Sequence, residues 1–71
     1  MASRNLDLTV TRNGRREDDL DLRADPDDIP ALQSVLTGWL EGHKWHPGRW
    51  REFELVVRFE GEGKIRRKVR A

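Results

Sequence analysis

The order of the apolar periodicities constrains the fold of this chain more than any other feature of the sequence. Apolar and polar residues alternate in two short runs before residue 24 and in two more after residue 52. Between these pairs of runs, apolar residues recur every three or four positions from Ile29 to Leu40. Alternation is typical of strands with one buried face, whereas the longer spacing is typical of a helix with one buried stripe. The sequence therefore predicts two pairs of strands on either side of a single helix.

The leucines of the first two runs predict how those strands pair. A shift of one residue turns every side chain of a strand to the opposite face, so the leucines of the two strands must meet. A three-residue loop at 13–15, which begins Asn-Gly, sets Leu8 opposite Leu20. Leu6 then faces Leu22. A two-residue loop would set an aspartate opposite Leu8, so we expect the three-residue loop.

The last two runs predict a second hairpin of similar design. A loop at 61–63, Gly-Glu-Gly, sets Leu55 opposite Val69. The same loop sets Phe59 opposite Ile65, so we expect all four side chains to face the core. We expect the second glycine of the loop to adopt the left-handed conformation that such loops require.

The segment between the hairpins predicts a helix with defined ends. Residues 25–28, Asp-Pro-Asp-Asp, favour a helix start, because carboxylates cap free backbone amides and favour the positive end of the helix dipole. Pro30 suits the first helical turn, and Gly42 suits the end of the helix. Trp39 lies on the apolar stripe, so we expect it to cover the sheet as a core residue. The stripe consists of Ile29, Leu32, Val35, Leu36, Trp39 and Leu40.

Together these elements predict an α+β fold: a single small domain over residues 1–71, with a β-hairpin–helix–β-hairpin (ββαββ) four-stranded sheet and one helix packed on its inner face. The order resembles that of the ubiquitin-like and immunoglobulin-binding grasp folds. This grasp-like resemblance implies that the first and last strands lie side by side and parallel, but it implies no function. Val56 falls on the outer face, where we expect it to be exposed. The expected elements are strands at about 5–12 and 16–23, a helix at about 27–41, a loop at about 42–51, and strands at about 52–60 and 64–70.

Composition limits the setting in which this fold works. The chain has 71 residues, no cysteine and a hydrophobic content of 35%. At this length a domain buries only about 60% of its unfolded surface, and without disulfides its stability depends on packing alone. The absence of cysteine suits a reducing compartment, and the first residues lack the apolar run of a signal peptide. No stretch approaches the roughly 20 apolar residues that cross a bilayer, so we expect a cytoplasmic protein with no membrane partner.

The charges are divided unequally between the two halves of the chain. Residues 1–42 carry five arginines against nine acidic residues, and residues 43–71 carry nine basic residues against four glutamates. The net charges of the halves are −4 and +5, although the whole chain carries only +1. Such a division predicts either two oppositely charged faces for different partners or two elements that neutralise each other within the sheet.

Residues 43–51, His-Lys-Trp-His-Pro-Gly-Arg-Trp-Arg, form the leading candidate for a binding site. Tryptophan and arginine are enriched at the contacts that dominate protein interfaces. We therefore expect a small non-catalytic adaptor or regulator that binds a protein partner or a second copy of itself, with a free sheet edge as a second route. In the other interpretation, one of the tryptophans folds back to close the small core. The predicted partner-binding residues are Trp45, His46, Arg49, Trp50 and Arg51.

The last strand supports an alternative function, the binding of nucleic acid. Alternation places its cations on the outer face, where they could follow a phosphate backbone while a loop tryptophan stacks on a base. The near-neutral net charge argues against this function, and pairing with Glu54, Glu60 and Asp7 would remove part of the positive charge. The alternative therefore depends on whether the acidic first hairpin lies beside the cations. The row consists of Lys64, Arg66, Lys68 and Arg70.

The sequence carries little that indicates catalysis or metal binding. His43 and His46 are spaced as two zinc ligands could be, but a zinc site usually needs three or four ligands, and the chain has no cysteine or third histidine. Ser34 lies within the predicted helix, apart from both histidines. We therefore expect no enzyme activity, no cofactor, no metal and no small-molecule substrate. A third candidate function is that of a structural subunit in a larger assembly, in which the tryptophans form a permanent interface.

Overall fold

The computed structural model describes residues 3–71 as one four-stranded sheet with an α-helix packed on its inner face. The elements are β1 (Arg4–Arg12), β2 (Arg15–Ala24), α1 (Ile29–Gly42), a 3₁₀-helix (Pro47–Glu52), β3 (Phe53–Phe59) and β4 (Ile65–Arg70). The sheet order is β2-β1-β3-β4, and every neighbouring pair is antiparallel. The predicted α+β class and ββαββ arrangement are therefore confirmed. Met1 and Ala2, the first residues of the segment predicted to be no signal peptide, lie outside the described residues.

The order of the strands differs from that of the grasp-like folds. β1 lies beside β3, with Leu8 opposite Val57, and β4 is at an edge of the sheet. β3 carries apolar residues on both faces, which favours a central position, whereas β4 is rich in cations, which are typical of edge strands. Val56 shows the consequence. Its side chain lies on the outer face between Thr9 and Lys68 and is only 6% exposed, so the prediction that it is exposed is wrong.

The first hairpin has the predicted pairing but a different turn. The predicted leucine pairs are present, with Leu8 opposite Leu20. However, the turn contains two residues, Asn13 and Gly14, whose φ angles of 51° and 81° match the tight hairpin turn that follows the twist of the strands. Arg15, which was predicted to be the third residue of the loop, instead belongs to β2. The extra residue lies in a bulge of that strand, at Glu17. The leucines still meet because a bulge and a longer loop shift the pairing equally.

The second hairpin keeps only part of the predicted pairing. Leu55 lies opposite Val69, as predicted, but a bulge at Arg66 places Ile65 opposite Arg58. Ile65 is therefore turned away from the core and is 42% exposed, so its predicted place in the core is wrong. The left-handed glycine is the first of the loop, with a φ of 80°, and not the last. This glycine, Gly61, turns the chain soon after β3 ends. The residue in excess of regular pairing, Arg66, therefore lies within β4.

Helix α1 begins and ends close to the predicted positions. The Asp28 carboxylate accepts a hydrogen bond from the Ala31 amide at 3.2 Å and caps the helix, and Pro30 lies in its first turn. Trp39 packs against the core, and its indole N–H donates to the Asp18 carboxylate at 2.8 Å. Neither helix in the described part of the chain is both long and apolar enough to cross a bilayer. The buried core consists of Leu6, Leu8, Val10, Leu32, Leu36, Leu40, Phe53, Leu55, Val57 and Val69.

Candidate binding surfaces

Both tryptophans of the 43–51 segment pack onto one end of the core. One interpretation of the sequence was that one of them folds back onto the core, whereas in the structure both are half-buried against the core residues. The Trp45 ring lies 5.0 Å from that of Phe53, and the Trp50 indole N–H donates to the Trp45 carbonyl oxygen at 3.1 Å. A domain of this size leaves the ends of its core open, and the two rings close this end.

Charged side chains pack around this aromatic cluster. The Arg12 guanidinium lies 4.4 Å from the centre of the Trp45 ring, in a cation–π contact. Glu52 accepts hydrogen bonds from Arg49 and Arg12, each at 3.0 Å. These bonds, that from Arg49 foremost, hold the pKa of Glu52 below its usual value. Neither Arg12 nor Glu52 was among the site residues predicted from the sequence. The three-residue spacing of Arg49 and Glu52 could have indicated one of these contacts.

Local contacts account for both histidines. The His43 ring stacks on Trp39 with a centroid distance of 4.0 Å, and its Nδ1 lies 2.9 Å from the Trp39 carbonyl oxygen. Nδ1 of His46 accepts from the Gly48 amide at 3.0 Å and caps the 3₁₀-helix, which begins at Pro47. The segment predicted as a loop therefore contains a short helix. Within residues 3–71, no group of three or more His, Cys, Asp or Glu side chains could hold a metal ion.

The other side chains of the predicted site lie at the surface. His46, Arg49 and Arg51 are exposed, although Arg49 already forms an ion pair. The Arg51 carbonyl oxygen accepts a hydrogen bond from the Arg70 guanidinium at 3.2 Å, which joins the segment to the end of β4. That the segment binds a partner stays a prediction, and its cations are more accessible than its rings.

The predicted row of cations on the last strand is interrupted by the bulge in β4. Lys68 and Arg70 lie on the outer face, but Arg66 is the bulged residue, and its guanidinium lies 5.4 Å from the Phe59 ring. Lys64 precedes the strand. The prediction of one continuous outward row is therefore wrong, because a bulge changes the alternation beyond it. We call the exposed cations along this side of the sheet the basic edge: Arg51, Lys64, Arg66, Lys68 and Arg70.

Arg67 belongs to β4 but is used within the fold. It lies opposite the buried Val57, on the inner face, and its guanidinium forms an ion pair of 2.9 Å with Asp27, just before α1. This contact attaches the start of the helix to β4 and separates Arg67 from the cations of the basic edge.

The acidic residues of the first hairpin lie on the opposite side of the sheet. Asp19 and Asp21 lie on the outer face of β2, and β1 and β3 separate that strand from β4. Asp7 lies opposite a residue of β3, and not beside β4 as the grasp-like order implied. Neighbouring strands are about 4.8 Å apart, so β2 and β4 are about 14 Å apart. Glu54, which pairs with Arg70 at 3.3 Å, neutralises part of the basic edge instead. We call Glu17, Asp19 and Asp21 the acidic edge.

An apolar patch adjoins one end of the basic edge. Ile65 is 42% exposed, and the half-buried ring of Phe59 lies 3.8 Å from the guanidinium of Arg4. Ile65, Phe59 and Arg66 border a surface groove of about 350 Å³. The basic edge therefore offers an apolar contact as well as positive charge.

Each edge strand also has an unpaired side. Among the described residues, β2 has only β1 as a neighbour, and β4 has only β3. On the unpaired side, alternate residues present backbone N–H and C=O groups to which another chain can pair. The last of these groups in β4, the Arg70 carbonyl, accepts a hydrogen bond from the Gln33 side chain at 3.2 Å. The part of β4 available for pairing therefore precedes Arg70.

Comparisons with known proteins add no family to these observations. The chain matches no family model, no curated protein and no solved structure. The charged edges and the closed end of the core are therefore the features from which a function is inferred.

Proposed function

We propose that the protein is a small non-catalytic protein-binding module that receives an extended acidic segment of its partner as an additional strand beside β4. The observation that carries this proposal is an unpaired strand edge with exposed cations along it. In strand addition, backbone hydrogen bonds supply affinity and alternate side chains supply specificity. A partner strand rich in Asp or Glu is therefore favoured beside β4, and a basic strand is disfavoured.

Side chains on both sides of β4 extend this recognition. On the outer face, Lys68 is exposed, and Arg70 shares its charge with Glu54. Near the turn, Ile65 and Phe59 offer an apolar contact to the partner within a groove that is otherwise lined by the charged side chains of Glu62, Lys64 and Arg66. A segment in which acidic and apolar residues alternate meets both requirements.

In this proposal the 43–51 segment supports the basic edge and adds to it. Trp45 and Trp50 hold the segment on the core, and the hydrogen bond from Arg70 to the Arg51 carbonyl attaches it to β4. Arg51 therefore adds an exposed cation beyond the end of the strand. Because charges at the surface are screened over about 8 Å at physiological ionic strength, the contribution of these cations to binding falls as salt rises.

Nucleic-acid binding is the second candidate function. The acidic hairpin lies apart from the basic edge, as that function requires, and Lys64, Arg66 and Lys68 could contact phosphates. The half-burial of Trp45 and Trp50 favours the protein-binding proposal, because stacking on a base needs a free ring face. A structural subunit, the third candidate, would use the same edges in a permanent contact.

Fluorescence anisotropy with labelled peptides tests the proposal. The probe is a peptide of alternating Asp and Val of about six residues, a common strand length. The controls are the same peptide with proline at alternate positions and a peptide of alternating Lys and Val. We expect saturable binding of the Asp-Val peptide that weakens as salt rises. We expect the proline peptide to bind at least about tenfold more weakly, because proline cannot donate the backbone hydrogen bonds of a strand.

Matched variants locate the binding site. We expect Lys68→Glu to weaken binding of the Asp-Val peptide about tenfold, because it places like charges opposite each other. Arg23→Glu makes the same change of charge at an exposed position of β2, at the opposite edge, and is expected to leave binding unchanged. Equal binding of the proline and Asp-Val peptides would contradict strand addition. Binding of a mixed-sequence single-stranded oligonucleotide, with no binding of the Asp-Val peptide, would favour the second candidate.

A further inference from the structure

The free edge of β4 carries cations, and the free edge of β2 carries the exposed carboxylates Asp19 and Asp21, the first of which also pairs with Arg16 of its own strand. These carboxylates indicate an acidic strand that fits the basic edge. We propose that this strand is β2 of a second copy of the protein, so that copies join edge to edge in a continuous antiparallel sheet. The inference rests on the proposed function, because it assigns the partner of the basic edge. The direction, the side-chain pattern and the charge of the two edge strands support it.

The directions of the edge strands allow copies to join without turning over. Each neighbouring pair in the sheet is antiparallel, so β2 and β4 run in opposite directions. A second copy placed beside the first in the same orientation therefore presents its β2 antiparallel to β4. The sheet then continues from one copy to the next, with the helices of both copies on the same face.

The side-chain pattern selects one register for this contact. Side chains of the inner face must meet side chains of the inner face, because a one-residue shift reverses the faces. Val69 lies on the inner face of β4, and Leu20 packs against the core from the inner face of β2. Setting these two residues opposite each other brings the exposed cations opposite exposed carboxylates. The register pairs Val69 with Leu20 and Lys68 with Asp21, and beyond the part of β4 that is free for backbone pairing it places the Arg70 side chain near Asp19.

Neighbouring registers each lose one of these matches. A shift of two residues in one direction keeps the cations of β4 opposite carboxylates but sets Val69 opposite Asp18, whose carboxylate already accepts the indole hydrogen bond of Trp39. The shift in the other direction sets Val69 opposite Leu22 but places Lys68 opposite Arg23. Only the first register therefore combines the apolar pair of the inner face with opposite charges at Lys68, although it also brings Arg66 towards Arg23.

Charge also favours the contact of unlike edges. Two β4 strands would bring the basic edges together, and like charges opposite each other are destabilising. Two β2 strands, in which carboxylates alternate with arginines, would leave the basic edge of each copy without an acidic partner. The contact is therefore heterologous, with β2 of one copy against β4 of the next. Each copy keeps one free edge of each kind, so the assembly grows beyond a dimer and closes into a ring or extends as a filament.

The inner face of β2 gives the contact an apolar component. Leu20 and Leu22 are only half-buried in the single chain, because α1 packs mainly against β3 and β4. A neighbouring copy would bring its own β4 and α1 beside these leucines. Additional burial of their side chains would stabilise the contact by about 25 cal/mol for each Å² of apolar surface removed from water.

Sedimentation velocity tests this inference. We expect the average mass of the wild-type protein to rise above that of the monomer as concentration increases, and to fall again as salt is added. Asp19→Lys/Asp21→Lys makes both edges basic, and Lys68→Asp/Arg70→Asp makes both edges acidic. We expect each double variant alone to remain monomeric. We expect a mixture of the two to assemble, because every edge then meets its opposite.

Circular dichroism of each variant ensures that only folded proteins are compared. A wild type that stays monomeric at every concentration and salt would overturn the inference. So would assembly of either double variant alone at wild-type concentrations, or a mixture of folded variants that fails to assemble. A monomeric wild type that binds the Asp-Val peptide would overturn the inference and leave the proposed function standing. Absence of both assembly and peptide binding would overturn both.

Discussion

Residues 43–52 and strand β4 both carry several cations, but only the first region also carries aromatic rings and a carboxylate. In the first region the aromatic rings lie on the core, and Glu52 binds both Arg12 and Arg49. In β4, Arg66 and Lys68 are exposed, and the carboxylates of the first hairpin lie at the far edge of the sheet. Aromatic rings and cations are thus used within the molecule where the end of the core or a carboxylate lies beside them. Cations remain accessible at the edge of the sheet formed by β4.

Trp45→Ala has the largest expected effect on stability. We expect the free energy of unfolding to fall by about 2 kcal/mol, because the change removes a half-buried ring that contacts Phe53 and Arg12. Urea denaturation followed by circular dichroism measures this change. The control is Arg51→Ala, an exposed side chain of the same region, for which we expect a change of less than about 0.5 kcal/mol. Unchanged stability of Trp45→Ala with loss of peptide binding would make the ring a partner contact and remove the difference between the two regions.

A fall in pH tests the internal hydrogen bonds of Glu52, in the first region, and of Asp18, in the first hairpin. Hydrogen bonds from Arg49 and Arg12 lower the pKa of Glu52, and that from Trp39 lowers the pKa of Asp18. Such carboxylates contribute stability that is fully present above their usual pKa values, 4.5 and 3.8, and is lost as the pH falls through the lowered values. We therefore expect the urea midpoint to decrease as the pH falls below 4.5.

Glu52→Gln separates the contribution of Glu52 from that of the other carboxylates. We expect this variant to be less stable than the wild type at neutral pH, since it loses its charge-assisted bonds to Arg49 and Arg12. It should also lose less stability on acidification. Urea midpoints of both proteins at pH values on either side of 4.5 measure the difference. Equal losses in the two proteins would contradict a stabilising role for these bonds.

Changes in the basic edge have the smallest expected effects on stability. Lys68→Glu and Arg66→Ala alter exposed side chains, and we expect each to change the free energy of unfolding by no more than about 0.5 kcal/mol. The same urea titrations measure this, while the peptide titration measures the loss of binding. A large loss of stability in either variant would show that these cations of β4 are engaged in the fold as Arg49 is.

Alternation was enough to predict local pairing, but not where extra residues lie. The pairing of Leu8 with Leu20 followed from the need to place the leucines of both strands on one face. The bulges at Glu17 and Arg66 could not be predicted, because an extra residue in the loop gives the same pairs farther along the strands. The outward turn of Ile65 was missed for that reason.

Strand order and the contacts of the candidate site depend on residues that are distant in sequence. Local patterns do not indicate which strands of different hairpins are neighbours, although outward-facing Val56 was a sign that β3 is central. The hydrogen bond between Arg12 and Glu52 joins residues 40 positions apart, so it could not be predicted from the 43–51 segment. The cations of the basic edge were recognisable from the sequence. That the acidic hairpin does not neutralise them follows only from the strand order.

Hydrogen–deuterium exchange of the backbone amides tests the central claim most directly. Exchange is followed residue by residue with and without the Asp-Val peptide, at a protein concentration where the chain is monomeric. We predict slower exchange of free β4 amides between Ile65 and Val69 when the peptide is present, because a new strand then pairs with them, and unchanged rates in residues 43–51. Slower exchange within residues 43–51, with unchanged rates in β4, would contradict the account and make the aromatic segment the binding site.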